Sequence, residues 1–354
     1  MNILHIVSAK EWGGGETAAL SMCRIQKKYG HEVFVAVERK NEKIVKRFYN
    51  SARTTLFHFS FLQFLISLVK LRCLIKKEKI QVIHTHSGKV LLLTILANWG
   101  LEAKIISFRH NAIANKKDFL HRFIYSHTDA FVCVSKVVYD EQIKNVLPKE
   151  KEKFYIVHNG VFVKNVIPRD SVIREDVRVG YAGRIEKNKG LEDLVKAMSL
   201  LKGNRVSLHV AGNDETSFAQ YLKCQLSENY TNVSVKWYGY IKNIDEFYEV
   251  VDVMVVPSVV KEAFGLTICE AMYRGIPVIT TNNGAQKEII DDGIDGLLVA
   301  PRNPIALKDA LQRVISDNNL AKAIGEKAKE KVIKNFTMDI WMHKMNDLYE
   351  KLIG

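Results

Sequence analysis

The sequence predicts an α/β protein made of two Rossmann-like parallel-sheet domains that face each other across a cleft. Three observations predict it. The chain has 354 residues, more than one hydrophobic core usually covers. Short apolar runs alternate with helical patterns through the first half, the signature of strands covered on both faces by helices. After a polar stretch near residue 168 that alternation begins again.

In the first half the runs are NILHIVS, HEVFVAV, VIHTH, KIISF and AFVCVS, and a glycine turn after the first opens a helix reaching Tyr29. Residues 56–79 are rich in Phe and Leu but broken by His58, Gln63 and Lys70, too interrupted for the roughly 20 apolar residues of a spanning helix. Two readings stay open: a core helix with a solvated end, or an amphipathic helix lying on a bilayer with Lys70, Arg72, Lys76, Lys77 and Lys79 at the headgroups. Residues 163–170, with Pro168 and no amphipathic period, read as the linker. The N-terminal domain is therefore 1–168 and the C-terminal domain 169–336. The latter holds VRVGYAG, VSLHVAG, VSVKWYGY, VDVMVVPS and IPVITT. Phe336, Ile340, Trp341, Met345, Leu348, Tyr349 and Leu352 then recur at helical spacing, so 337–354 should be a helix with one buried stripe, joined to the N-terminal domain.

Composition narrows the class. With 47% apolar and 26% charged residues and no repeat or low-complexity tract, the chain reads as a globular protein rather than a disordered one. Five scattered cysteines without a Cys-x-x-Cys pair suit a reducing cytoplasm. The opening MNILHIVSAK reads as a first core strand and not as a signal peptide. The net charge of +13 is one-sided: residues 1–168 carry 27 Lys and Arg against 13 Asp and Glu, while 169–354 carry 25 against 26. A basic first domain fits an anionic partner, a membrane surface or a nucleic acid; a solvated surface is the plainer alternative.

Several short motifs could carry chemistry. Gly13, Gly14 and Gly15 follow the first strand, where bare backbone N–H groups at a helix start can approach a phosphate. The dinucleotide fingerprint is incomplete, because Glu16, Thr17 and Ala18 follow without its third glycine. Glu38, ending the second strand, keeps a dehydrogenase reading open. In GRIEKNKG, Arg184 and Lys189 stand at a strand's carboxyl end, the ligand edge of an open α/β sheet, where a diphosphate would fit. In PSVVKEAFGLTICEAMYRG, Glu262 and Glu270 flank a helix start at Gly265, and carboxylates there can accept hydrogen bonds from sugar hydroxyls. A cap and a surface acid would look the same. His84 and His86 alternate on one strand face, and without a third ligand at recognisable spacing a place beside the acceptor suits them better than a metal site.

The motifs GGGE, HTH, SFRHN, CVS, HNGV, GRIEKNKG and the Glu-x7-Glu pair, in that order over nearly the whole chain, resemble retaining glycosyltransferase family 4 with the GT-B fold. The resemblance implies a hexosyltransferase that takes a UDP- or GDP-linked sugar. It sets Gly14 and Gly15 by the donor phosphates and gives the diphosphate to Arg184 and Lys189. The donor sugar goes to Glu262 with the N–H groups of Phe264, Gly265 and Leu266, and the ribose to Glu270. His110, in FRHN, would face the reacting sugar, and neither cofactor nor metal is expected. Gly284-Ala285 departs from the glycine-richer loop of many relatives, leaving the contacts before Glu288 open. The expected acceptor is a lipid-linked sugar or surface polysaccharide at the inner face of a bacterial membrane, with the protein cytoplasmic and peripheral. The alternatives are a soluble small-molecule acceptor, a phosphorylase of the same fold, an NAD-dependent dehydrogenase, and a nucleic-acid-binding protein. Basic strands with interleaved aromatics, expected of the last, are missing.

Overall fold

A computed structural model describes residues 1–9, 11–163, 176–201 and 205–354. The chain divides into two compact units, Met1–Phe162 with Met338–Gly354, and Val163–Thr337. The linker expected at 163–170, with the boundary after Pro168, lies almost wholly outside the described residues.

The first unit contains β1 (Asn2–Val7), β2 (Glu32–Glu38), β3 (Arg53–Phe57), β4 (Val82–Thr85), β5 (Lys104–Arg109), β6 (Ala130–Cys133) and β7 (Phe154–Ile156). They form one sheet in the order β3-β2-β1-β4-β5-β6-β7, every pair parallel. Parallel strands covered on both faces must be apolar throughout, and the central residues of β1, β2 and β5 are buried. Among the buried polar exceptions, His5 on β1 and His84 on β4 share a register position and are fully buried.

The second unit contains β8 (Asp176–Ala182), β9 (Arg205–Ala211), β10 (Ser234–Gly239), β11 (Val253–Val256), β12 (Val278–Thr281) and β13 (Leu297–Val299), in the parallel order β10-β9-β8-β11-β12-β13. Its core joins Val179, Leu191, Leu194, Leu208, Val255 and Ile279 from strands and covering helices. Chain order reverses between β1 and β4 in the first sheet and between β8 and β11 in the second. At such a switch point neighbouring connections leave toward opposite faces and open a crevice beyond the strands' carboxyl ends.

The helix Met338–Ile353 completes the first unit. Trp341, Met345, Leu348 and Tyr349 form the buried stripe, joined by Met342, while Ile340 and Leu352 lie at its half-buried margins. Asp339 anchors it, 2.8 Å from the Lys28 ammonium and accepting from the Tyr29 hydroxyl at 3.0 Å.

Residues 56–79 are not one helix. Leu56 and Phe57 end β3, a single 3-10 turn covers Phe61–Gln63, and the helix runs Phe64–Lys77. Its buried positions are Ser67, Leu71 and Ile75, spaced by four. Leu65, Ile66 and Val69 instead face outward at 75%, 68% and 60% exposure, with Leu62 just before the helix at 95%. Both open readings keep a foothold: Leu71 and Ile75 are buried and Lys76 and Lys77 exposed, as in a core helix with a solvated end, while Leu65, Ile66 and Val69 protrude on the opposite side. Among the described residues no helix is long and apolar enough to cross a membrane.

Candidate functional site

At the switch point of the first sheet, Gly13 caps the helix Gly14–Lys28 in an extended conformation. Its N–H donates to Glu16 Oε2 at 2.9 Å, which ties the turn down, while the N–H groups of Gly14 and Gly15 make no hydrogen bond among the described residues. A Cβ at Gly15 would sit 3.5 Å from Cγ of His110, in ordinary contact, so this helix start lies directly beside the imidazole. His110 follows β5. Its Nε2 lies 3.1 Å from His86 Nδ1, and burial lowers its pKa to about 4, so the ring is neutral near pH 7.

His84 does not stand beside an acceptor. Strand alternation points it into the sheet's interior, where it is fully enclosed and Tyr349 OH lies 3.0 Å from its Nε2. His86, two residues on and past the strand's end, is half-buried and belongs to the His110 neighbourhood. Glu38 holds no ribose position: Oε2 accepts from the backbone N–H of Phe59 at 3.0 Å, closing the turn after β3. Among the described residues no group of His, Cys, Asp and Glu is arranged to hold a metal ion.

The switch point of the second sheet gathers the charges of the two most specific motifs. Lys189 sits in the short 3-10 turn after β8, just before Gly190 and the helix Leu191–Ser199. Ser258 and Glu262 follow β11. Gly190 has φ +73°, and a Cβ there would lie 1.9 Å from the Pro257 carbonyl oxygen, so glycine alone lets the two connections cross this closely. The crossing sets Lys189 Nζ 2.6 Å from Glu262 Oε1, each side chain about four-fifths buried at 18% and 19% exposure. The Ser258 hydroxyl donates to the same carboxylate oxygen.

Glu262 is further fixed by its backbone. It bridges Gly284, where a Cβ would meet the Glu262 backbone N and O at 2.6 Å, and its carbonyl accepts from Ala285 N–H at 3.0 Å. One glycine, Gly284, is what this contact requires; Ala285 is buried without strain.

Arg184 is more exposed, pairing with Glu186 at 2.8 Å while its carbonyl accepts from Tyr181 OH at 2.6 Å. The helix Leu266–Tyr273 starts at Gly265, φ +142°, and the N–H groups of Leu266 and Thr267 make no hydrogen bond among the described residues. Phe264 is buried below them. Glu270, inside that helix, accepts from Tyr248 OH at 2.8 Å, and the Arg274 guanidinium lies 4.6 Å over the Tyr248 ring. A lysine, an arginine, unpaired helix-start N–H groups and two carboxylates thus collect at one sheet's switch point, the components needed to hold a diphosphate and a polyol.

Residues 163–331 match the model of "Glycosyl transferases group 1", and residues 12–164 that of "Glycosyltransferase Family 4". The chain is a glycosyltransferase of the GT-B fold. It is similar to the glycosyltransferase from Rickettsia africae ESF-5, with 23% identity, a TM-score of 0.87, and 99% of this chain and 98% of that one covered. Anabaena Alr3699/HepE, solved in complex with UDP and glucose, gives 18% identity and a TM-score of 0.82 over 99% and 100% of the two chains. Among curated relatives, the Campylobacter jejuni GalNAc-alpha-(1->4)-GalNAc-alpha-(1->3)-diNAcBac-PP-undecaprenol alpha-1,4-N-acetyl-D-galactosaminyltransferase is 27% identical over 350 residues, 94% of this chain and 93% of its own.

Sequence reasoning missed His5, Gln26 and Tyr349, which continue the contacts of His86 and His84 into the core. A buried histidine in an apolar strand has no periodic signal. The alignment of β1 with β4 is what pairs His5 with His84.

Proposed function

We propose that this glycosyltransferase moves a sugar from a UDP- or GDP-linked donor to a lipid-linked or polysaccharide acceptor at a membrane surface, with retention of anomeric configuration. The observation that carries the reading is the Lys189–Glu262 pair, 2.6 Å apart at the switch point of the second sheet. Lys189, Arg184 and the helix-start N–H groups at 264–266 meet the charge that grows on the departing diphosphate oxygen. Interactions stronger in the transition state than in the ground state are those that accelerate the reaction. Because cationic side chains are already present, no metal ion is required in this scheme. When the diphosphate takes the lysine, Glu262 is released to accept hydrogen bonds from the donor sugar, and Glu270 takes the ribose. His110, beside Gly15, acts on the reacting sugar. The anomeric C–O bond to the diphosphate breaks as the acceptor oxygen bonds from the same face, and the acceptor proton passes to the departing oxygen.

The UDP complex of the Anabaena structure supports a nucleotide donor, and the undecaprenol in the Campylobacter enzyme's name supports a lipid-linked acceptor. Leu62, Leu65, Ile66 and Val69 protrude together beside Lys70, Lys76 and Lys77, in the half of the chain that carries the positive excess. An apolar face flanked by cations suits acyl chains below anionic headgroups. The test is a panel of UDP- and GDP-sugars with polyprenyl-diphosphate sugars as acceptors, the product's anomeric configuration being read by NMR. A product of opposite anomeric configuration to the donor would remove the retaining mechanism, and no transfer from any member would remove the substrate assignment.

A further inference from the structure

The polar groups beneath His110 form one unbranched chain. His110 Nε2 is 3.1 Å from His86 Nδ1, His86 Nε2 is 2.9 Å from His5 Nδ1, and His5 Nε2 is 2.7 Å from Gln26 Oε1. Gln26 Nε2 then donates to Tyr349 OH at 2.9 Å, and Tyr349 OH lies 3.0 Å from His84 Nε2. The three rings nearest the surface are close to parallel, 19° and 10° apart. The outer nitrogen, His110 Nδ1, makes no hydrogen bond among the described residues and is not among the enclosed atoms without a partner, so it reaches accessible space.

A neutral imidazole has one N–H and one lone pair, so the direction of any one bond fixes all the others. The carbonyl oxygen of Gln26 can only accept. His5 therefore carries its hydrogen on Nε2 and accepts on Nδ1, His86 donates from Nε2 and accepts on Nδ1, and His110 donates from Nε2. We propose that this chain sets the tautomer of His110, leaving Nδ1 as a hydrogen-bond acceptor for a sugar hydroxyl, with His86, His5 and Gln26 as positioning residues. The proposal rests on the reading that His110 meets the reacting sugar.

Two further facts support it. Burial lowers His5 and His110 to about 4 and holds His84 and His86 well below the usual histidine range, so no ring carries a second proton near pH 7. The location is also costly: aliphatic residues would serve the interior of a parallel sheet, whereas each buried imidazole without partners would cost about 1–3 kcal/mol. The chain spares three of the four rings that cost, and leaves only Nδ1 of His84 enclosed without a partner. Gln26 is the point of choice, since turning its amide over would reverse all five bonds and present Nδ1–H instead.

Long-range 1H–15N NMR of the full chain labelled with 15N-histidine reads the tautomer directly, with a His110→Gln sample assigning the resonance. The expected result is a protonated Nε2 and an unprotonated Nδ1 at neutral pH. Gln26→Leu gives a mixture of tautomers and lowers kcat about tenfold with little change in KM, the worth of about one hydrogen bond. Nδ1–H in the wild type overturns the proposal, as does an unchanged His110 tautomer in Gln26→Leu. So does a normal kcat for Gln26→Leu when His110→Gln is impaired. If both variants turn over normally although the tautomers are as stated, the substrate-facing reading of His110 fails, and the catalytic use of the chain with it.

Discussion

Replacing Lys189 by methionine separates what the Lys189–Glu262 pair does for the fold from what it does for the reaction. The ammonium lies 2.6 Å from a carboxylate and both side chains are about four-fifths buried. Removing the cation strands Glu262 with the Ser258 hydroxyl as its remaining side-chain donor. Breaking a fully buried pair costs roughly 3–5 kcal/mol, and the residual exposure here reduces this to about 2–3 kcal/mol. Adding Glu262→Gln removes the stranded charge, so the double variant should regain about 1–2 kcal/mol, which a double-mutant cycle by urea denaturation measures. Turnover should not follow stability. Losing a preorganised cation on the departing diphosphate lowers kcat by about 10²–10³, and the amide at 262 restores none of it. If the double variant recovers activity together with stability, the pair is structural; near-normal turnover of Lys189→Met would refute its contact with the diphosphate.

Other perturbations have equally definite outcomes. Gly190→Ala drives a methyl group into the Pro257 carbonyl at a backbone angle of +73°, so denaturation should show a loss of about 3 kcal/mol or more. His5 is neutral in the fold and about 2.5 pH units easier to protonate once unfolded; between pH 6.5 and 4 the unfolded chain binds more protons, and stability falls by about 1.4 kcal/mol per pH unit of acidification for this ring alone. Urea midpoints at pH 7 and pH 5 check the sign, and the loss should shrink in His5→Gln. Leu65→Ser with Ile66→Ser removes two outward aliphatic side chains; sedimentation with anionic vesicles should show at least tenfold weaker binding, with an unchanged melting temperature.

Much of the fold is legible in the sequence because parallel sheets buried on both faces demand continuous apolar runs. NILHIVS, HEVFVAV and VDVMVVPS have no other comfortable structure, and each is a strand. The strands that escape reading are those with weaker burial or shorter length. RTTLF of β3 is an edge strand, half-buried and polar at its start, while β7 and β13 have three residues each. Residues 56–79 mislead for a related reason: composition counts aliphatic residues without saying which way they face, and here Leu65 and Ile66 face solvent while Ser67 faces in. The second-sheet site is legible because its residues cluster in two short motifs, GRIEKNKG and the segment holding Glu262 and Glu270. The ion pair between those motifs is not, since it depends on how two connections 73 residues apart cross at Gly190. The histidine chain is the least legible part, spread over β1, the first helix, β4, the turns just after β4 and β5, and the last helix.

A nucleotide sugar bound through Lys189 is what the proposed reaction requires first, and thermal melting of the wild type and of Lys189→Met across a panel of UDP- and GDP-sugars tests this most directly. A ligand that binds only the native state raises the melting temperature in step with its concentration, by about 2.7 kcal/mol of stability at a hundredfold excess over Kd. The expected result is a concentration-dependent rise with one nucleotide sugar in the wild type and its near loss in Lys189→Met. Equal stabilisation of both proteins, or of neither by any member of the panel, would contradict the donor site.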